Sequence, residues 1–138
     1  VTVFKKQDNL LESVKNADIV ANCLSANPST KNMLDEKFFL SLKKGCFFIS
    51  SSRQVTYDLV ALKKALNEDI LSGSADDAAS AEVGDTADKA YRDILNHPKI
   101  MVTPHIAWNA DSDQRKVGDI MIDNIKAWLD KKPKNTVN

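Results

Sequence analysis

The stretch Asp35-Glu-Lys-Phe-Phe-Leu-Ser-Leu-Lys-Lys-Gly-Cys-Phe-Phe-Ile-Ser50 decides the fold. Its first half places Phe38, Phe39 and Leu42 at helical spacing behind an acidic start. Lys43, Lys44 and Gly45 then supply the cations and the glycine that a helix end favours. Cys46–Ser50 follows as a short, nearly continuous apolar run, the pattern of a strand buried on both faces. One helix feeding one buried strand is the repeating unit of an α/β fold.

The same alternation extends in both directions. Val1–Phe4 reads as a strand and Asn9–Lys15 as a short helix with Leu10, Leu11 and Val14 on one side. Asp18–Leu24 reads as a buried strand. Tyr57–Asn67 reads as a helix whose stripe is Val60, Leu62, Ala65 and Leu66, with Asp58 at its positive end. A strand at Ile70–Ala75, a helix at Ala87–Leu95 and a strand at Ile100–Thr103 come next. A long helix spans about Asp113–Lys131, with Val117, Ile120, Met121, Ile125 and Trp128 at three- and four-residue spacing and Asp111 or Ser112 as its cap. The expectation is a mostly parallel sheet buried on both faces.

Composition narrows the function. Lys plus Arg and Asp plus Glu both number 19, and the Lys pairs are scattered, so no concentrated basic patch suits nucleic acid. No apolar run approaches the roughly 20 residues of a membrane span, and no secretory signal is present, which makes a cytoplasmic protein the default. Cys23 and Cys46 lie in apolar runs and read as buried, reduced thiols.

Residues at strand ends can meet at one edge of a parallel sheet. Three carry complementary chemistry. Arg53 follows the strand Cys46–Ser50 and can hold a carboxylate through two hydrogen bonds. His105 follows Ile100–Thr103 and can move a proton near neutral pH. Glu82, in the loop after Asp77, can orient such a histidine. By position alone each has a plainer reading: Arg53 as half of an ion pair, Glu82 as a solvated surface group, His105 as a loop residue. Asp76 and Asp77 can be turn residues and Trp108 a packing residue.

The order of these residues resembles the D-isomer-specific 2-hydroxyacid dehydrogenases. The likeness runs through Ala17-Asp-Ile-Val20, Asn27-Pro-Ser-Thr-Lys-Asn-Met-Leu34, Leu42-Lys-Lys-Gly45 and Phe48-Ile-Ser-Ser-Ser-Arg53. It continues through Asp58, Ala61-Leu62, Ala65-Leu66 and Gly73-Ser-Ala-Asp-Asp77, and reaches Thr103-Pro-His-Ile-Ala-Trp108 and the long helix. The Ile-Ala-Trp after His105 is most similar to glycerate dehydrogenase or hydroxypyruvate reductase members.

The resemblance implies catalytic roles for Arg53 (substrate binding), His105 (proton transfer) and Glu82 (support of that histidine). It implies that Leu24, Ser25, Thr30, Ser51, Ser52, Asp77 and Trp108 line the cofactor, NAD or NADP, with Asp77 facing the nicotinamide carboxamide. It implies a small 2-keto or 2-hydroxy acid substrate, no metal, and a homodimer for the full-length protein. Departures from the family pattern are Ser25 and Val83 where proline is usual, Gln54 where glycine is usual, and Ala78-Ala-Ser80 in place of a bulkier stretch. They leave room for a non-catalytic, dinucleotide-sensing or corepressor-like protein of the same fold.

The chain has four glycines and no Gly-x-Gly-x-x-Gly, the turn that lets a pyrophosphate approach a helix N-terminus. With that turn absent, the resemblance implies an α/β fold that is the second half of a Rossmann-type doubly wound sheet. It implies that residues 1–110 are a partial NAD(P)-binding domain lacking its Gly-rich half, and that 111–138 are a C-terminal helix and tail resembling the segment that returns to a substrate domain, which is absent here. Val1–Phe4 would be strand 3 and Asp18–Leu24 strand 4 of the order 3-2-1-4-5-6, with strands 1 and 2 missing. The expectation is a piece of a longer polypeptide.

Overall fold

The computed structural model describes residues 9–77, 92–94 and 96–136. The expected strand Val1–Phe4, most of the expected helix Ala87–Leu95, and Glu82 lie outside them; residues 92–94 are helical. The chain forms two compact units, Val1–His105 and Ile106–Asn138.

In the first unit helix α1 (Leu10–Val14) precedes strand β1 (Ile19–Asn22). Helix α2 (Glu36–Leu40) precedes β2 (Cys46–Ser50), and α3 (Leu59–Asn67) precedes β3 (Leu71–Asp76); β4 (Ile100–Val102) follows. The sheet is parallel throughout, in the order β1-β2-β3-β4. This is the α/β, Rossmann-like order expected from the sequence.

The helices start where short polar side chains can take up orphan backbone N–H groups. Asn9 accepts from Leu11 N, Asp35 from Phe38 N, and Asp58 from Val60 N and Ala61 N at 2.8 and 3.1 Å. Helix α2 is shorter than the sequence suggests, because Ser41 caps it and donates its hydroxyl to Phe38 O. Gly45, at φ +90°, then turns the chain into β2, a backbone state that a side chain would strain.

Register sorts side chains onto two faces. Val20, Phe48, Ser74 and Ile100 form one row across the sheet, and Asn22, Ser50, Asp76 and Val102 the next row toward the carboxyl edge. Both rows face α2 and α3. An irregularity between Cys46 and Phe47, opposite Leu71–Gly73, lets Leu71 share that face with Ser74 and Asp76. Against these rows pack Leu34, Phe38, Phe39, Leu42, Ala61, Leu62, Ala65 and Leu66. Phe38, Phe39, Phe48 and Tyr57 form a chain of edge-to-face contacts with centroids 5.3, 5.2 and 5.7 Å apart. Each such contact adds about 0.5–1.5 kcal/mol beyond burial.

The other face departs from expectation. Ile19 (60% exposed), Phe47 (49%), Ile49 (44%) and Met101 (64%) stand exposed on it, so among the described residues this face is far less covered than a sheet buried on both faces would require. The apolar run of β2 did not distinguish a strand covered twice from one covered once. Gly73 lies on this face under the Phe47 ring, which a Cβ would meet at 3.2 Å. Val60 is likewise exposed rather than part of the α3 stripe, since the inward arc is Ala61, Leu62, Ala65 and Leu66. Cys46 is buried as expected, and burial raises its thiol pKa; Cys23 is exposed, because just past β1 it continues the alternation of exposed Ile19 and Ala21.

The second unit consists mainly of α4 (Asp111–Leu129). Ala110 is its N-cap and makes no side-chain bond, so neither Asp111 nor Ser112 caps it; Asp111 and Asp113 instead sit in the first turn, favourable for the helix dipole. The stripe Val117, Ile120, Met121, Ile125 and Trp128 is exposed, while Ala127 is buried. The tail returns along the helix end through Lys132 N to Ala127 O (2.8 Å) and Asn135 Nδ2 to Asn124 Oδ1 (2.9 Å). No described helix is long and apolar enough to cross a membrane.

Candidate active site

Because all four strands run the same way, their exits share one edge. β1 releases Cys23, Leu24 and Ser25; β2 releases Ser51, Ser52 and Arg53; β3 releases Asp77; β4 releases Thr103, Pro104 and His105. β2 and β4 flank β3, so the exits that carry Arg53 and His105 stand two strand spacings apart, about 10 Å.

Arg53 is exposed and is the N-cap of a 3-10 turn, Gln54–Thr56. Its carbonyl accepts the Thr56 N–H (3.0 Å) and the Thr56 hydroxyl (2.7 Å). The backbone of Arg53 is thereby anchored while its side chain stays at the surface. Gln54, half-buried, reaches Tyr57 O at 3.4 Å.

His105 is half-buried and holds φ +58°, the left-handed region that non-glycine residues adopt only when the surroundings require it. Its N–H donates to Thr103 O at 2.9 Å. Thr103 in turn is tied to β3 twice: its N–H donates to Asp76 O (2.9 Å), and its hydroxyl donates to the Asp77 carboxylate. Asp77 is buried, and its N–H reaches Ser50 O at 3.0 Å. Arg53 and His105 thus rise from strands on either side of a fixed acidic residue. Glu82 lies outside the described residues.

The remaining expected cofactor residues divide by exposure. Ser25 and Ser51 are exposed; Ser51 N donates to Asn22 O, and its Oγ lies 3.6 Å from Cys23 Sγ. Ser52 is buried and its hydroxyl donates to Leu24 O, so it shapes the edge from beneath. Thr30 holds its own loop: its hydroxyl donates to Ser25 O at 2.7 Å and accepts the Asn27 N–H at 3.0 Å. Leu24 is half-buried, with its N–H on Asn22 Oδ1. Trp108 belongs to the second unit and is exposed.

Sequence reasoning missed the layer below. Asn22, Ser50, Thr56 and Asp76 are buried polar residues, and Tyr57, fully buried, donates its hydroxyl to Asp76. Asp76 is therefore the last strand residue of β3 and not part of a turn. The one signal for this layer was polar residues at the ends of apolar strands, which alone do not distinguish a packed network from a solvated edge.

The comparisons with known proteins fit this geometry. Residues 2–107 match the family model described as D-isomer specific 2-hydroxyacid dehydrogenase, NAD binding domain. D-lactate dehydrogenase of Staphylococcus aureus is 30% identical over 114 residues, which are 76% of this chain and 34% of that protein. Glycerate dehydrogenase of Methylorubrum extorquens is 28% identical over 134 residues, 95% of this chain and 42% of that protein. The solved structure of a D-isomer specific 2-hydroxyacid dehydrogenase from Lactobacillus delbrueckii ssp. bulgaricus, in its NAD complexed form, superposes with a TM-score of 0.81 at 26% identity. That superposition covers 95% of this chain and 43% of the other. The chain therefore spans less than half the length of these relatives.

Proposed function

The chain belongs to the D-isomer specific 2-hydroxyacid dehydrogenase family, and on that premise we propose that it carries the nicotinamide-facing half of a dinucleotide site. The protein interconverts a D-2-hydroxy acid and its 2-keto acid. The observation that carries this reading is the shared edge on which Arg53 and His105 flank the buried Asp77 and its half-buried partner Thr103.

The residues present suit one end of the cofactor. Leu24, Ser25, Thr30, Ser51 and Ser52 would line it, and Asp77, held by Thr103, would face the carboxamide. The glycine turn that suits a pyrophosphate does not occur in this sequence. NAD or NADP, when bound, supplies the hydride that reduces C2 of the keto acid. Arg53 grips the substrate carboxylate by paired hydrogen bonds and fixes the keto carbon in place. His105 donates a proton to the carbonyl oxygen as it becomes a hydroxyl, and takes it back in the oxidising direction. Glu82 would hold the imidazole in the productive tautomer. A cytoplasmic homodimer is part of this reading.

The test is turnover of glyoxylate, hydroxypyruvate and pyruvate by the protein as it occurs naturally. His105→Ala should lower reduction by at least about 100-fold while dinucleotide binding is retained. A wild type that binds dinucleotide but turns over none of the three favours the second reading, a non-catalytic dinucleotide-sensing or corepressor-like protein. Gln54, half-buried directly beside Arg53, is the observation behind that alternative.

A further inference from the structure

A buried amide and three buried hydroxyls lie under the carboxyl edge of an otherwise aromatic core. Asn22 is 3% exposed, Ser50 2%, Ser52 6% and Thr56 0%. Apolar side chains would fill this space at lower desolvation cost, so the polar layer needs a purpose beyond packing.

Its connectivity supplies one. The Leu24 N–H can only donate, so the Asn22 atom it meets at 3.2 Å is the amide oxygen. The Asn22 NH2 then points the other way, to Thr56 Oγ1 at 3.0 Å and Ser50 Oγ at 3.3 Å. Thr56 donates its own hydroxyl hydrogen bond to the Arg53 carbonyl at 2.7 Å. Ser52, next to Arg53 in the chain, closes the loop by donating to Leu24 O. The Leu24 peptide is thus held on both sides, and the backbone of Arg53 is fixed to it through two side chains.

We infer that Asn22 and Thr56 are positioning residues that set Arg53 relative to the dinucleotide-lining turn at Leu24. This rests on the reading above, in which Arg53 receives the substrate carboxylate. Neither residue touches substrate. Thr56 contacts Arg53 directly and reaches Leu24 only at second hand, through Asn22 and through Ser52 Oγ at 3.4 Å, while the bonds of Leu24 itself run to Asn22 and Ser52. Asn22 acts on both turns.

The experiment is steady-state kinetics and dinucleotide titration on the natural protein. Thr56→Val, which keeps the branched shape and removes the hydroxyl, should raise KM for the keto acid roughly tenfold, with kcat nearly unchanged and a smaller rise in dinucleotide Kd than in KM. Thr56→Ser, which restores the hydroxyl, should bring KM back. Asn22→Leu should raise both KM and dinucleotide Kd. If Thr56→Val does not fold, Thr56→Ala removes the same hydroxyl without adding apolar volume and carries the same expectation. An unchanged KM alongside a lowered melting temperature, or a Thr56→Ser variant that fails to restore KM, overturns the inference. Arg53→Ala separates the two levels. If it raises KM while the Thr56 variants do not, only the positioning role is lost. If it too leaves KM unchanged, the carboxylate role of Arg53 falls and the inference falls with it.

Discussion

Phe47 and Phe48 are neighbours in one strand with opposite fates. Phe48 is fully buried between Phe39 and Tyr57, while Phe47 is 49% exposed on the open face beside Ile19, Ile49 and Met101. The helix-covered face has dense aromatic packing and a polar row that ends at the candidate site. The open face has apolar side chains and, among the described residues, little laid over them. Stability and site geometry are therefore concentrated on one side of the same four strands.

The sharpest way to break this contrast is a pair of truncations. Phe48→Ala should cost about 3–5 kcal/mol in denaturant unfolding, as for other fully buried aromatic residues. Phe47→Ala should cost about 1 kcal/mol, since roughly half of its surface stays wet. Equal losses would mean that the open face is covered in solution.

A smaller effect tests the polar row. Tyr57→Phe removes only the hydroxyl that donates to Asp76 and leaves a buried carboxylate short of one donor. The expected loss is about 1–3 kcal/mol. A loss near zero would show that the hydroxyl is dispensable to the covered face.

The smallest effect lies at the amino end of the sheet, away from the site. Burial first, then the cations of Lys99 and Lys63, lower the His97 pKa from its ordinary value. Its Nδ1 accepts the Lys99 N–H at 3.2 Å, and its Nε2 lies 3.2 Å from Asn67 Oδ1, an arrangement that suits the neutral ring. The unfolded chain then binds the proton more readily than the folded one. The stability this gives is complete above the unfolded pKa, near 6.5, and is lost as pH falls through the lower folded value. A melting curve series from pH 8 to 5 should show this decline, and His97→Gln should flatten it. Asp69, whose carboxyl Lys99 holds below the ordinary range, acts in a separate and more acidic window.

Much of this was legible in the residues. Asp35 and Asp58 announced helix starts, and the apolar runs at Asp18–Leu24 and Cys46–Ser50 announced strands, because capping and alternation are local effects. Arg53 and His105 were legible as strand-end residues once the sheet was taken as parallel, whereas Asp77 read by position as a turn residue and entered only through the family resemblance. What failed was what depends on neighbours. Cys23 was expected inside and is outside, Val60 was expected on the stripe and is exposed, and the α4 cap expected of Asp111 or Ser112 falls to Ala110. The hydrogen-bond layer of Asn22, Thr56, Tyr57 and Asp76 gave no local signal beyond polar residues at strand ends, since its members are 19 to 34 residues apart where they meet.

The sequence by itself determined the alternation of helix and strand, the parallel α/β class and the residues at the strand exits. Each of these follows from spacing within a few residues and from the chain's own handedness. Only the tertiary structure decided which sheet face is covered, which strand-end residues are buried, and how Asn22 and Thr56 tie Leu24 to Arg53. Burial and hydrogen-bond partnership are properties of pairs of distant segments, and a linear pattern of apolar and polar residues does not say which segments meet.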